Sequence, residues 1–179
     1  LTDFRYLSPK WKQNCEEERL LGVSLTGIYD NPLTYTPDDS LRKLLRSLRS
    51  VANETNNEYA DYLGINPSAA ITCVKPSGTV SQLVGSASGI HPRYSEHYIR
   101  RTRQDVKDPL SEHLIAQGVP YEVDAHNPSQ YVFAWPIKSP DKSVVSGGLS
   151  AQDHLVLWLI YDREWCEHKP SVSIYVKED

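Results

Sequence analysis

Apolar residues recur at helical spacing between Leu41 and Ala52, at Leu41, Leu44, Leu45, Leu48, Val51 and Ala52. Thr36-Pro37-Asp38-Asp39 precedes them and supplies an N-cap, a proline at the first helical position and an acidic third residue. The pattern predicts a helix that runs through Tyr59 and Tyr62 and stops at Gly64, with Arg42, Lys43, Arg46 and Arg49 on its wet side. Upstream, "CEEERLLGVSLTGIYDNP" joins a helical end to an apolar stretch that is either strand or turn. Ala69 to Val74 is short, apolar and flanked by breakers, which predicts a buried strand. Val80 to Val84 opens a helix, and Gly85 to Gly89 is loop. Asp108-Pro109 starts a further helix, with Leu110, Leu114 and Ile115 inside and Gly118 at its end. Tyr131 to Trp135 reads as a strand closed by Pro136. Ser150-Ala151-Gln152-Asp153 caps a helix carrying Leu155, Trp158 and Leu159, and residues 171–176, "SVSIYV", read as a last strand. Strands and helices alternate, so an α/β fold with at least partly parallel strands is expected.

Composition narrows the function classes. The 179 residues suit one domain, and 39% hydrophobic with 23% charged residues marks a folded chain. A net charge of −4 argues against general DNA or RNA binding. No apolar run approaches the ~18 residues of a membrane-spanning helix, and no signal peptide is seen, so no membrane partner is expected. Cys15, Cys73 and Cys166 are too few and too scattered for a secreted disulfide framework, which favours a cytoplasmic location. There is no methionine, and both ends, "LTDFRYLSPKW" and "VKED", read as cut from a larger protein.

The stretch "CVKPSGTVSQLVG", residues 73–85, carries the chemistry. An apolar strand stops at Lys75 and Pro76, small residues follow, and a helix opens. The first N–H groups of a helix lack partners and carry the positive end of its dipole. Gly78 lets a ligand approach the main chain, and Ser77, Thr79 and Ser81 add hydroxyls. Such a turn suits phosphate. An ordinary cap and turn would also use these residue types. The spacing is neither that of a Walker loop nor of the dinucleotide fingerprint.

Residues 74–101, "VKPSGTVSQLVGSASGIHPRYSEHYIRR", resemble the adenosylcobalamin-dependent (class II) ribonucleotide reductases, especially the monomeric ribonucleoside-triphosphate reductases. Residues 19–30, "RLLGVSLTGIYD", and 165–179, "WCEHKPSVSIYVKED", resemble the same family. The resemblance implies that the whole chain, 1–179, is a single partial domain from the second half of a ten-stranded α/β barrel. It implies that Pro76, Ser77, Gly78, Thr79, Val80 and Ser81 hold the substrate's phosphates. The implied reaction is reduction of a ribonucleoside triphosphate at its 2′ carbon. Adenosylcobalamin generates a cysteine thiyl radical, and a thioredoxin-type reductant renews the dithiol. The family's radical cysteine lies in an Asn-Pro-Cys-Gly-Glu type loop, and that string is missing here. The fragment is therefore expected to be catalytically silent, with no catalytic residue of its own. The alternative is a stand-alone nucleotide- or phosphate-binding module without chemistry.

Other candidates rank lower. Cys73 lies in an apolar strand, where cysteine is a common small hydrophobe, so a hydrolase using it with a histidine is a weak third reading. Cys15 stands among glutamates with no activating cation in sequence. Cys166, Glu167 and His168, with His154, lack the second close ligand pair that a zinc site needs, so no metal is expected. Arg93, Arg100, Arg101, Arg103 and Lys107, interleaved with Tyr94 and Tyr98, read either as nucleotide or cobalamin contacts or as a solvated strand edge.

Overall fold

The computed structural model describes residues 4–176. Helix α1 spans Pro9–Glu18, strand β1 Val23–Ser24, helix α2 Pro32–Tyr35 and helix α3 Asp39–Leu63. Strand β2 is Thr72–Cys73, helix α4 Val80–Leu83, strand β3 His97–Asp105, helix α5 Pro109–Ala116, strand β4 Tyr121–Val123 and strand β5 Gln130–Lys138. Helix α6 spans Ala151–Glu164. The chain divides into two compact units, Leu1–Arg93 with Lys142–Asp179, and Tyr94–Asp141.

In the first unit, β1 and β2 pair in parallel, Val23 opposite Thr72 and Ser24 opposite Cys73. The pairing continues past the formal strands, because Leu21 N–H donates to Ala70 and Leu25 N–H to Cys73. The 69–74 strand is thus present, with its regular ladder confined to two residues. Around it lies the core of Ile28, Tyr29, Leu41, Leu45, Val74, Ile90, Leu157, Ile160, Tyr161, Trp165 and Cys166. Tyr161 is fully buried, and its hydroxyl donates to the Thr34 carbonyl, which satisfies the one polar atom it brings inside.

Helix α3 forms where periodicity places it and ends at Gly64 in the left-handed conformation. Its cap is Asp38, whose carboxylate accepts from Leu41 N–H at 2.8 Å, while Thr36 terminates α2 instead. The expected faces need correction. Leu44, Leu48 and Val51 are exposed, whereas Arg46 is on the wet side as expected and Arg42 and Arg49 are half-buried, and all three arginines meet carboxylates. Arg46 meets Glu164 at 2.9 Å through Nη2, with Arg42 on the same carboxylate, and Arg49 pairs with Glu167. Ion pairs join this face of α3 to α6 and the segment after it, a partner that hydrophobic periodicity cannot reveal. Helix α6 starts at Ser150, which accepts from Asp153 N–H, and buries His154, Leu157, Ile160, Tyr161 and Glu164 along one stripe.

The second unit is a three-stranded antiparallel sheet in the order β3-β5-β4, with α5. The 131–135 strand therefore belongs to an antiparallel sheet, not to a parallel succession with β2. It also runs through Pro136, which lies opposite Ile99. β4 covers β5 only at residues 131–133, so Pro136 sits where one edge is open and a missing N–H is tolerated. Leu110 is half exposed, and Ser111 is the buried residue of α5, donating to the Asp105 carbonyl. Residues 171–176 form no ladder and are not a strand. One main-chain donor there, Ser173 N–H, goes to a histidine ring instead. Residues 177–179 lie outside the described residues.

Candidate anion-binding site

Strand β2 enters the core and leaves it at Val74, after which the chain surfaces. Lys75, Pro76, Gly78, Thr79 and Val80 are exposed, Ser77 is half-buried and Ser81 is fully buried. Helix α4 begins at Val80 and lasts a single turn. Ser77 organises the turn. Its N–H donates to Ser88 Oγ at 2.7 Å, and its own Oγ accepts from Ser81 N–H at 2.9 Å. The Ser81 hydroxyl returns to the Ser77 carbonyl at 2.8 Å. Of the residues that sequence groups here, Ser77 and Ser81 are thus bonded inward, a narrower picture than a full row of outward amides. Among the described residues, no protein acceptor is paired with the N–H groups of Thr79 and Val80, and Thr79 makes no side-chain capping bond. A Cβ added at Gly78 would meet nothing within 4 Å, so the turn is open on that side.

The frame that holds this turn comes from segments that no local motif marks. Lys75 N–H donates to Ser24 Oγ, and Gly89 N–H donates to Thr26 Oγ1. Gly89 has φ +53°, and a Cβ there would stand 2.8 Å from the Lys75 carbonyl oxygen, so only glycine fits. Asp30 takes Ala87 N–H and a bidentate pair with Arg93, whose Nη2 also reaches the Gly85 carbonyl. Arg93 is 6% exposed, which removes it from the run of surface cations that sequence suggests.

Beneath the turn, Glu167 does similar work on β2. Its carboxylate accepts from Ile71 N–H at 2.7 Å, from Thr72 N–H and from Asn53, beside Arg49. Burial pushes its pKa up, but these donors together hold it below the usual carboxylate range. Its neighbours diverge. Cys166 is buried, which pushes its thiol up to about 12 with Cys73 as a second cause, and His168 Nε2 bonds the Leu21 carbonyl. Cys73 is 1% exposed, with the Trp165 indole donating to its carbonyl. Burial raises the Cys166 thiol out of the reactive range, and both cysteines are buried packing residues. Among the described residues, no three His, Cys, Asp or Glu side chains gather as a metal ion would require.

Two hollows lie elsewhere in the first unit. One, about 370 Å³ and open, is lined by Arg46, Arg49, Asn53, Arg163 and Glu164. The other, about 730 Å³ and mostly apolar, is lined by Trp11, Arg19, Tyr59 and Leu63 among others. In the second unit, Arg101 pairs with Glu122 and Arg103 with Asp124. Bonds from His126 N–H and Arg103 hold Asp124 down at about 2. Tyr94 and Tyr98 pack edge to face.

No family model matches the chain. Curated relatives do. The chain is 29% identical over 89% of its length to the adenosylcobalamin-dependent ribonucleoside-triphosphate reductase of Lacticaseibacillus paracasei. It is 28% identical over 92% to that of Lactobacillus acidophilus, and 30% identical over 69% to that of Lactobacillus leichmannii. The matches cover 25%, 26% and 20% of those proteins, so the chain spans about a quarter of their length or less. Among solved structures, a B12-dependent (class II) ribonucleotide reductase superposes with TM-score 0.79 and 25% identity over 91% of this chain and 27% of that one. The expected fold is borne out to that extent: mixed helices and strands that follow one portion of a class II reductase. In sequence and in backbone, this chain is similar to one segment of the adenosylcobalamin-dependent ribonucleoside-triphosphate reductases, and the resemblance carried by residues 74–101 is borne out.

Proposed function

We propose that this chain is the phosphate-holding segment of a ribonucleotide reductase that converts ribonucleoside triphosphates to 2′-deoxyribonucleotides. The observation that carries the reading is the exposed turn after β2, with the Thr79 and Val80 amides and the Thr79 hydroxyl left for a ligand. These donors suit phosphate oxygens, and Gly78 leaves room for them to approach. The Ser77 hydroxyl, whose oxygen already accepts from Ser81, still has its proton to donate. Pro76 and Ser81 shape the turn. Phosphate capture at a rigid turn fixes the ribose, and orientation of that kind is a large share of catalysis on small substrates.

Relatives named for adenosylcobalamin dependence imply that cofactor for the parent enzyme, where it supplies a radical initiator. Neither hollow described above among the described residues fits the whole of it. The larger hollow, about 730 Å³, falls within the range of drug-sized ligands and below what a corrinoid with its nucleotide arm fills. Cys73 and Cys166 are both buried in the core beneath the turn. No step through the cofactor is therefore assigned to this chain, and the radical cysteine and the thioredoxin-type reductant belong to the rest of the parent.

Titration of the purified chain with inorganic tripolyphosphate tests the reading. Saturable binding is expected, weakened about tenfold or more by Gly78→Asp, which sets a carboxylate where the anion would lie. Equal binding by the variant overturns it. Incubation with adenosylcobalamin, a ribonucleoside triphosphate and a dithiol should give no turnover, and turnover would refute the assignment of the radical chemistry elsewhere.

A further inference from the structure

His91 stands between two segments that are otherwise far apart in sequence. Its Nδ1 lies 3.0 Å from the Ser88 carbonyl oxygen, and its Nε2 lies 2.9 Å from Ser173 N. A carbonyl only accepts and an amide N–H only donates. Both contacts are met only by the neutral ring with its proton on Nδ1. Ser88 is also the residue whose hydroxyl accepts from Ser77 N–H at the turn. One chain of bonds therefore runs from the Ser77 amide through Ser88 and the imidazole to the backbone of residues 171–176, which have no ladder of their own.

We propose that His91, in its neutral Nδ1–H form, is a positioning residue that ties the 171–176 segment to the phosphate turn. Protonation would place an N–H on Nε2 facing the Ser173 N–H, so the tie would open on acidification. The titratable neighbour packed on His91 is His154 of α6, edge to face at 6.2 Å. His154 is buried, its own Nε2 bonds the Ile90 carbonyl, and burial lowers its pKa. Beyond it stand Tyr29, edge-on at 5.5 Å, and Asp153, which acts on Tyr29. On the His91 side, Arg93 is held by Asp30.

The tie itself holds whether or not the turn takes phosphate; only its effect on anion affinity rests on the function proposed above. The two are separable by experiment. Amide hydrogen exchange at Ser173, followed by NMR on the whole chain, reads the tie. It should quicken about fivefold, the loss of one hydrogen bond, as the His91 ring signals report protonation. His91→Gln retains an acceptor near the Nε2 position and should keep Ser173 protected. His91→Asn retains a donor near Nδ1 and should release it. An unchanged Ser173 amide in wild type across the His91 titration, or equal exchange in the two variants, overturns the proposal.

The turn is read separately with inorganic sulfate, a probe of constant charge between about pH 5.5 and 7.5, the range in which histidine titrates. A new positive charge by itself would strengthen sulfate binding on acidification, whereas an opened tie weakens it. Weaker binding at the lower pH supports the coupling, and stronger binding contradicts it. No sulfate binding at either pH, with Ser173 behaving as expected, would remove the phosphate reading and leave the tie.

Discussion

Strand β2 and the turn that follows it are only a few residues apart and are built on opposite principles. At β2, polar groups find partners inside the protein: Glu167 takes the Ile71 and Thr72 amides, the Thr72 hydroxyl donates to Trp165, and the Trp165 indole donates to Cys73. At residues 78–80 the chain is exposed, and the Thr79 and Val80 amides have no partner among the described residues. The contrast is a division of labour. A bonded base fixes where the tip stands, and the function proposed above needs the tip's unpaired Thr79 and Val80 donors. Substitutions in the base should therefore cost stability, and substitutions at the tip should cost affinity.

The largest effect is expected at the Asp30–Arg93 pair. Arg93→Met leaves a half-buried carboxylate without its cation and should destabilise the chain by about 3–5 kcal/mol. Chemical denaturation would measure it, and a loss under about 1 kcal/mol would mean the pair does not hold the frame. Glu167→Ala strips the acceptor from two strand amides, Asn53 and Arg49, for roughly 3 kcal/mol by the same method. Gly89→Ala combines a left-handed backbone with a Cβ 2.8 Å from the Lys75 carbonyl and should cost about 2 kcal/mol. Because this clash displaces Lys75 itself, it is also the base substitution expected to weaken anion binding most. Gly78→Asp, at the tip, should change the unfolding free energy by no more than about 0.5 kcal/mol while it weakens binding about tenfold or more. If it unfolds the protein instead, base and tip are not separable.

The pH dependence has two components of definite sign. Glu164 and Glu167 are held below the usual carboxylate range, Glu164 chiefly by the Arg46 hydrogen bond. Their stabilisation is present above the unfolded value of 4.5 and disappears as pH falls through the lower folded values. Burial lowers His154, so the folded state resists its protonation, and stability should begin to decline earlier, as pH drops below about 6.5. Thermal melts of His154→Gln should lack this earlier, smaller decline; a variant with an unchanged profile between about pH 6.5 and 5 would place the sensitivity elsewhere.

Sequence carried the local features well. Helices α3 and α5 start and stop near their expected signals, and α6 starts at its own, because caps and glycine stops act within a few residues. The turn at 76–81 and its short helix were likewise legible in the order of small residues after an apolar run. The long-range partners were not. Asp30, Ser88 and Glu167 shape the turn and its base through contacts with residues as far as 118 positions away, and nothing in their neighbours signals this. The carboxylate partners of the α3 arginines were hidden for the same reason: periodicity reports which face is apolar, not which polar face meets a carboxylate. Residues 171–176 alternate like a strand, but a strand also needs a neighbour to pair with, and the Ser173 amide meets an imidazole.

An NMR titration of the backbone amides with tripolyphosphate addresses the open tip most directly. Saturable shifts centred on Gly78, Thr79 and Val80 are expected, with Ile71 and Thr72 unmoved. Shifts concentrated instead around Arg46, Arg49 and Arg163, the cationic hollow on α3 and α6, or no shifts at the turn, would contradict it.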